Sequence, residues 1–352
     1  MKRLRYICLF ITLLCIKSIY AQVEANLYSA TMPVKSKSVK DREQALPQAL
    51  GQVLIKVSGN STIVTIPRIH GQLINASQIL HSYRYQSNDN SAYPYLLIAS
   101  FDRAAVNQML TSNHQAIWGA DRPLMLFWVV KVTDGNARFL SNSDDAQLYD
   151  HLKWIAKARG LPVVYPLMDL TDLNAISSSD IINDQESMII NASQRYPHSG
   201  IVTVILSNTP NAQWQGQWTL ELNGKRTQFS EQGDDAAQVM LQGMNQLADN
   251  LANNYSVLHL GSGNERDFQL TVYGVNSVDE YVKIDQYLKH INSVRQVTIE
   301  QVLPDRVIFN LKVSGDKQLL QQAISIDNLL EPYDDFTVAE DNSAVLSYRV
   351  HS

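Results

Sequence analysis

The sequence predicts an α/β and α+β protein of three small modules, the middle one with a mixed, mainly parallel sheet and the last ferredoxin-like. Three observations carry this expectation. Apolar residues alternate in some stretches and recur at three- and four-residue spacing in others, the periods of strands and helices. The 352 residues allow two or three cores at about 100–200 residues each. Gly261-Ser262-Gly263-Asn264 reads as a linker, and a new pattern opens after residue 119, giving modules at 22–119, 120–260 and 265–352.

Residues 1–21 read as a cleavable signal peptide. Lys2, Arg3 and Arg5 precede a short apolar run, Tyr6 to Ile16, and Ala21 supplies the small residue at the cut. The run is shorter than the roughly 20 apolar residues of a membrane-spanning helix. Retention as an N-terminal anchor is the alternative, since Lys17 interrupts the run and Ile19 is bulky. Cleavage removes four of the 29 Lys and Arg and none of the 34 Asp and Glu, leaving 25 bases against 34 acids. It also removes Cys8 and Cys15, the two cysteines. An acidic, cysteine-free mature chain argues against nucleic acid, anionic membrane surfaces, thiolate metal sites, a Cys nucleophile and disulfides. No transmembrane segment is expected after cleavage.

In the first module Val23 to Tyr28 alternates as a strand that Pro33 breaks. Ala45, Leu46, Ala49, Leu50, Val53 and Val57 mark a helix ending at Ser58-Gly59, with Pro47 as a kink or as its true start. A second helix is expected over Arg68 to Leu80, a strand over Tyr95 to Phe101, and a helix capped by Asp102. The middle module opens with the apolar run Pro123 to Val130, suited to a strand buried on both faces. Asp144 or Asp145 should cap a helix carrying Leu148, Leu152, Ile155 and Ala156, which stops at Gly160. Strands at Leu161 to Tyr165 and Gly200 to Leu206 flank a helix over Glu186 to Arg195. Asn223-Gly224 is a hairpin turn between strands carrying Trp218, Leu220, Leu222 and Phe229. A final helix begun by Asp234-Asp235 carries Val239, Met240, Gly243, Met244, Leu247, Leu251 and Tyr255 on one face.

The last module follows the order strand, helix, strand, strand, helix, strand. Its elements are Phe268 to Tyr273, a helix after Ser277 with a capping box to Glu280, Val294 to Val302, Arg306 to Val313, Lys317 to Ile324, and Ala344 to Val350. No period of 20–50 residues recurs, which argues against a solenoid or propeller.

Catalytic patterns are absent from the sequence. The histidines (His70, His81, His114, His151, His198, His259, His290 and His351) include no pair at i, i+4. Asp180, Asp184 and Glu186 lack the ligand ladder of a calcium loop and read as a polar connection. Ser314-Gly315-Asp316-Lys317 is a turn into the last helix, and Gly261-x-Gly263 lacks the context of a dinucleotide loop. The doublets Asp144-Asp145 and Asp234-Asp235 suit helix starts, and Asp334-Asp335 a solvated loop. Trp214 and Trp218 share one side of a strand, for core packing or sugar stacking. Arg195-Tyr196 fits either an anion or a neighbouring acid. No catalytic, metal or cofactor residue is assigned, and no cofactor is expected.

Several segments together resemble a family. Ala30-x-x-Pro33-Val34, the helix Ala45 to Val57 ending Ser58-Gly59, Arg122-Pro123-Leu124, Ala158-Arg159-Gly160-Leu161-Pro162-Val163 with Pro166, Ala192-Ser193-Gln194-Arg195-Tyr196, and Trp214 to Trp218 are similar in order and spacing to secreted proteobacterial proteins classed as domain of unknown function 2066. Pro47 departs from that pattern. The resemblance implies no activity and no catalytic residues. The middle module is also similar in plan to the amino-terminal domain of the translocation protein TolB, an analogy of architecture alone. The expected function is that of a non-enzymatic periplasmic accessory or scaffold protein. It would bind envelope proteins, an outer-membrane or secretion assembly among them, through exposed strand edges of the C-terminal module. The alternatives are a metal-independent carboxylate hydrolase of envelope glycan or peptide and a small-ligand binding protein.

Overall fold

A computed structural model describes residues 27–89, 92–120, 122–208, 213–255, 265–291, 293–315, 317–325, 329–333 and 344–350. The expected leader at 1–21, the expected linker at 261–264 and Asp334-Asp335 lie outside them. The chain divides into two compact units, one running to Ala120 and one taking in Asp121–Tyr255 and Glu265–Ser352. Three sheets and the helices on them make a mixed α/β protein. No helix among the described residues is long and apolar enough to cross a membrane.

In the first unit, β1 (Ser29–Val34), β2 (Leu80–Ser87) and β3 (Tyr95–Phe101) form an antiparallel sheet in the order β1-β3-β2. The first strand starts later than the sequence suggested and contains Pro33 instead of ending at it. An edge strand tolerates proline because one row of its N–H groups has no ladder partner. Helix α1 (Val39–Ser58) begins at Ser38, whose side chain accepts from the Asp41 N–H, and runs through Pro47 without a restart. Gly59, at φ 73°, stops it by donating to the Ile55 carbonyl. Leu46, Leu50, Val53, Leu54 and Val57 are buried with Met32, Leu97, Ala99 and Phe101 in one core.

The helix expected over Arg68 to Leu80 is shorter: α2 (Pro67–Gln72) gives way to a 3-10 helix over Leu73–Ile79 and then to β2. Helix α3 (Arg103–Ser112) is capped by Asp102, which accepts from the Ala105 N–H.

The middle module is built on β4 (Met125–Thr133), β5 (Asn136–Phe139), β6 (Val163–Val164), β7 (Gly200–Asn208), β8 (Trp214–Leu222) and β9 (Lys225–Gly233). The sheet is mixed, in the order β5-β4-β7-β8-β9, with β6 sharing the β5 edge of β4. Parallel pairing is confined to β4 with β6 and β7; the flanking ladders are antiparallel. Two tight turns close the hairpins, Asn223-Gly224 at φ 53° and 69° and Asp134-Gly135 at φ 51° and 79°. Both have the left-handed pair of residues that a type I′ turn requires.

Helices cover both faces. On one, α5 (Leu170–Ala175), α6 (Ser178–Ile182) and α7 (Glu186–Ser193) contribute Ile176, Ile181, Ile189 and Ala192 to a core with Leu126, Trp128 and Ile201. On the other lie α4 (Ala146–Arg159) and α8 (Ala236–Tyr255). Here Trp218 is buried, edge-on to Phe127 and stacked on Phe229, with ring centroids 6.3 and 5.7 Å away. Two glycines make its slot. A Cβ on Gly243 would lie 2.1 Å from Trp218 Cε2, and one on Gly216 would lie 3.0 Å from Trp218 Nε1.

The C-terminal module holds β10 (Glu265–Tyr273), α9 (Val278–His290), β11 (Val294–Val302), β12 (Arg306–Ser314), α10 (Lys317–Ile324), β13 (Leu330–Pro332) and β14 (Val345–Val350). Ser277 caps α9 by accepting from the Glu280 N–H, and Glu280 reaches back to the Asn276 N–H. The expected order of elements is present with one addition, the short β13. A strand reached from β12 by one crossover helix runs parallel to β12, and β13 fills that role at the sheet edge. Strand β14 then turns back and enters between β13 and β10, parallel to β10, so the order is β11-β12-β10-β14-β13. Both helices pack on one face, where Ile284, Leu288, Leu320 and Ile324 meet Leu270, Phe309 and Leu311. Asn223, at the β8–β9 turn, donates to Ser325 just beyond α10.

Candidate functional site

The segment after β6 carries the densest polar network among the described side chains. Asp169 caps α5 by accepting from the Thr171 and Asp172 N–H groups at 3.0 and 3.1 Å. Asp172 is 1% exposed. Its Oδ2 accepts from the Met168 N–H at 2.8 Å and the Tyr196 hydroxyl at 2.6 Å, and its Oδ1 accepts from Arg195 Nη1 at 2.7 Å. Arg195 also forks onto Asp169, with both bonds at 2.6 Å. The Tyr196 hydroxyl accepts from the Leu167 N–H at 2.9 Å. This latch holds Met168 at φ 55°, a left-handed conformation that is costly for a non-glycine residue.

The outer side of the same segment is apolar and uncovered. Leu167, Leu170 and Leu173, three apart in sequence, are 71%, 78% and 53% exposed. Ile182 and Met188, at the end of α6 and on α7, are also exposed. Scattered exposed leucines need no explanation, but three on one short segment over a fully bonded scaffold form a built patch.

Arg195-Tyr196 therefore pairs with neighbouring acids. No pattern in the sequence points to Asp169 and Asp172, which lie 26 and 23 residues before Arg195. The two carboxylates approach each other through a shared guanidinium. Arg195 bonded to Asp169 holds that carboxyl below the usual range, and both acids raise the Arg195 pKa. Neither is arranged as a proton donor.

The doublet at 144–145 requires a correction. Asp145 stands at the start of α4 but makes no capping bond. It is buried, and it accepts from Lys131 at 2.9 Å and from both terminal nitrogens of Arg138. Burial alone would raise its pKa, but the bonds from Arg138 and Lys131 outweigh that and hold it low. Asp144 bonds with Ser141 in the preceding turn. Asp235 does cap, accepting from the Gln238 N–H, while Gln238 accepts from the Asp234 N–H.

The other sequence candidates are dispersed. Asp180 forms a capping box with Ser177, and Asp184 pairs with Arg226. Among the described residues no three His, Asp or Glu side chains are grouped to hold a metal. Trp218 is core, and Trp214 is half-buried with Lys131 Nζ 5.8 Å from its ring centroid. The cleft between β5 and β6, lined by Phe127, Phe139, Tyr149, Tyr165 and Met168, has room for about one water.

Acid should weaken the middle module in a defined window. Asp169 and Asp145 have folded pKa values below the ordinary one, so their contribution is complete above the unfolded carboxylate pKa, about 4. It declines as the pH falls below that value toward the depressed folded pKa. Urea midpoints measured between pH 7 and pH 2 should drop below pH 4, with a smaller drop for Asp169→Asn. An unchanged profile in that variant would remove Asp169 from the account.

Fold and site together describe a multi-sheet α/β protein whose densest polar network is structural and whose exposed feature is a leucine patch. The family model that matches is a domain of unknown function, DUF8605, over residues 21–119. This overturns the resemblance to domain of unknown function 2066, for the matching family is a different one and covers only the first module. The segments behind that resemblance in the middle module have structural roles: Arg122 donates to the Arg159 and Gly160 carbonyls at the end of α4, Ser193 accepts from Trp128 Nε1, and Arg195 and Tyr196 close the latch. No curated protein matches the chain significantly. Two solved structures are similar over part of it. The Protein Y N-terminal domain of Thermus thermophilus is 9% identical, over 37% of this chain and 93% of that one, with a TM-score of 0.18. An uncharacterized protein is 16% identical over 38% and 91%, with a TM-score of 0.17. Scores this low relate neither fold nor function.

Proposed function

We propose that this protein is a non-enzymatic, exported accessory of the cell envelope that binds another envelope protein through Leu167, Leu170 and Leu173. The observation that carries the proposal is an apolar patch held rigid from beneath by the Asp172–Arg195–Tyr196 latch. A surface organised before binding loses less entropy on association. The pattern of residues 1–21, basic residues followed by a short apolar run and Ala21, supports the exported address. Of the strand edges first expected to dock, that of β11 is less suited, since it carries two register shifts, at Val294/Gln296 and Ile299/Gln301, and bulges blunt an edge against pairing. A carboxylate hydrolase would need a free acid, and the two converging acids are committed to Arg195.

The test is co-purification from crosslinked envelopes. The triple variant Leu167→Ser, Leu170→Ser, Leu173→Ser should lose a partner that the parent retains, with stability within about 0.5 kcal/mol of the parent because the three side chains are exposed. A chain lacking residues from Asp267 onward should keep that partner. Retention by the triple variant, or no partner for the parent, rejects the proposal.

A further inference from the structure

Among the described residues, one face of the sheet of the C-terminal module carries no helix. Asp267, Gln269 and Tyr273 of β10 point away from the core formed by Phe268, Leu270 and Val272, while Thr271, on the same side, is buried between its neighbours. The register sets Tyr273 beside Arg306 and Arg349, and Glu331 beside Arg349. The Tyr333 N–H donates to the Ser347 carbonyl, placing its ring 4.7 Å from that of Tyr273 at 42°. Arg306 lies over the Tyr273 ring at 5.3 Å, and Gln269 donates to Glu300 at 2.7 Å.

We infer that this face binds a neutral glycan strand. Its charges cancel: Asp267 stands opposite Lys312, Glu331 bonds Arg349, and at one end Glu265 is matched by Arg295, which bonds Ser314 opposite it. A nucleic acid or an anionic lipid surface needs a net positive face. Paired tyrosines beside fixed guanidinium and amide groups suit a sugar, whose C–H faces stack on aromatic rings while its hydroxyls both donate and accept. The strands are about 4.8 Å apart, close to the length of one pyranose ring, so successive sugars can meet successive strands. Tyr333, 38% exposed, offers the stacking surface and Tyr273 supports it. The inference is independent of the leucine patch, which lies in another module.

The experiment is calorimetric titration of the full chain with a hexamer of N-acetylglucosamine and, separately, with a thymidine oligonucleotide. The expected result is binding of the hexamer alone, about tenfold weaker in Tyr333→Ala and nearly unchanged in Tyr333→Phe, which keeps the ring. The triple serine variant of the leucine patch should bind the hexamer like the parent, so the two proposals fail separately. No binding of the hexamer, equal binding by Tyr333→Ala, or preference for the oligonucleotide overturns the inference. Circular dichroism of the Tyr333 variants excludes loss of fold as the cause.

Discussion

Replacing Gly243 with alanine is expected to lower the stability of the middle module by about 3 kcal/mol or more, near the upper end for core overpacking. The added methyl would meet Trp218 Cε2 at 2.1 Å and Cζ2 at 2.3 Å, well inside any observed carbon contact. Neither side can yield easily. Trp218 is walled by Phe127, Phe229 and Gly216, and Gly243 is fixed on a 20-residue helix whose Met240, Met244 and Leu247 are fully buried. A urea midpoint gives the loss. Combining Gly243→Ala with Trp218→Leu makes room for the methyl, so the double variant should be more stable than the sum of the two losses by at least about 1 kcal/mol. Additive losses would mean that the clash is relieved elsewhere and that the slot is not the constraint.

Asp172→Ala should cost about 3 kcal/mol, the range for breaking a buried charged pair by deleting one partner. It leaves the Met168 N–H and the Tyr196 hydroxyl without their acceptor and removes one of the two acids on Arg195. Asp172→Asn keeps the volume and part of the bonding and should cost less. The loss should also be local: proteolytic cleavage within 165–175 should accelerate ahead of global unfolding, because Met168 returns from its left-handed conformation once its anchor is gone. Cleavage there at the parental rate would show that the latch does not hold the segment.

How much of this was legible in the sequence depended on whether burial or contact decided the element. Helix α10 and β3 carry full periodic patterns and both ends agree with expectation. Strand β2 was invisible because it is an exposed edge whose polar residues, His81 to Gln86, carry no apolar alternation beyond Tyr83 and Tyr85. Strand β5 is signalled by Asp134-Gly135, the same kind of turn as Asn223-Gly224, but its four residues carry little apolar pattern of their own. Arg138 lies on β5, so in the sequence Asp145 has no visible partner and reads as a helix start. The latch was out of reach for a different reason. Asp169 and Asp172 look like an ordinary helix beginning, and only the fold brings Arg195 to them. The leucines at 167, 170 and 173 were readable as apolar, but their exposure follows from that same unseen anchoring.

The position of β14 bears on how the C-terminal sheet closes. It follows all the other described strands in sequence, yet it lies inside its sheet, between β10 and β13. Both edges it covers stay unpaired until it docks, and its pairing with β10 joins segments about 76 residues apart, from Gln269–Tyr273 to Val345–Arg349. Such non-local pairing is slow. Among the described strands β10 and β13 meet only through β14, so the two flanking parts of this sheet are joined by the one strand that must arrive from far along the chain.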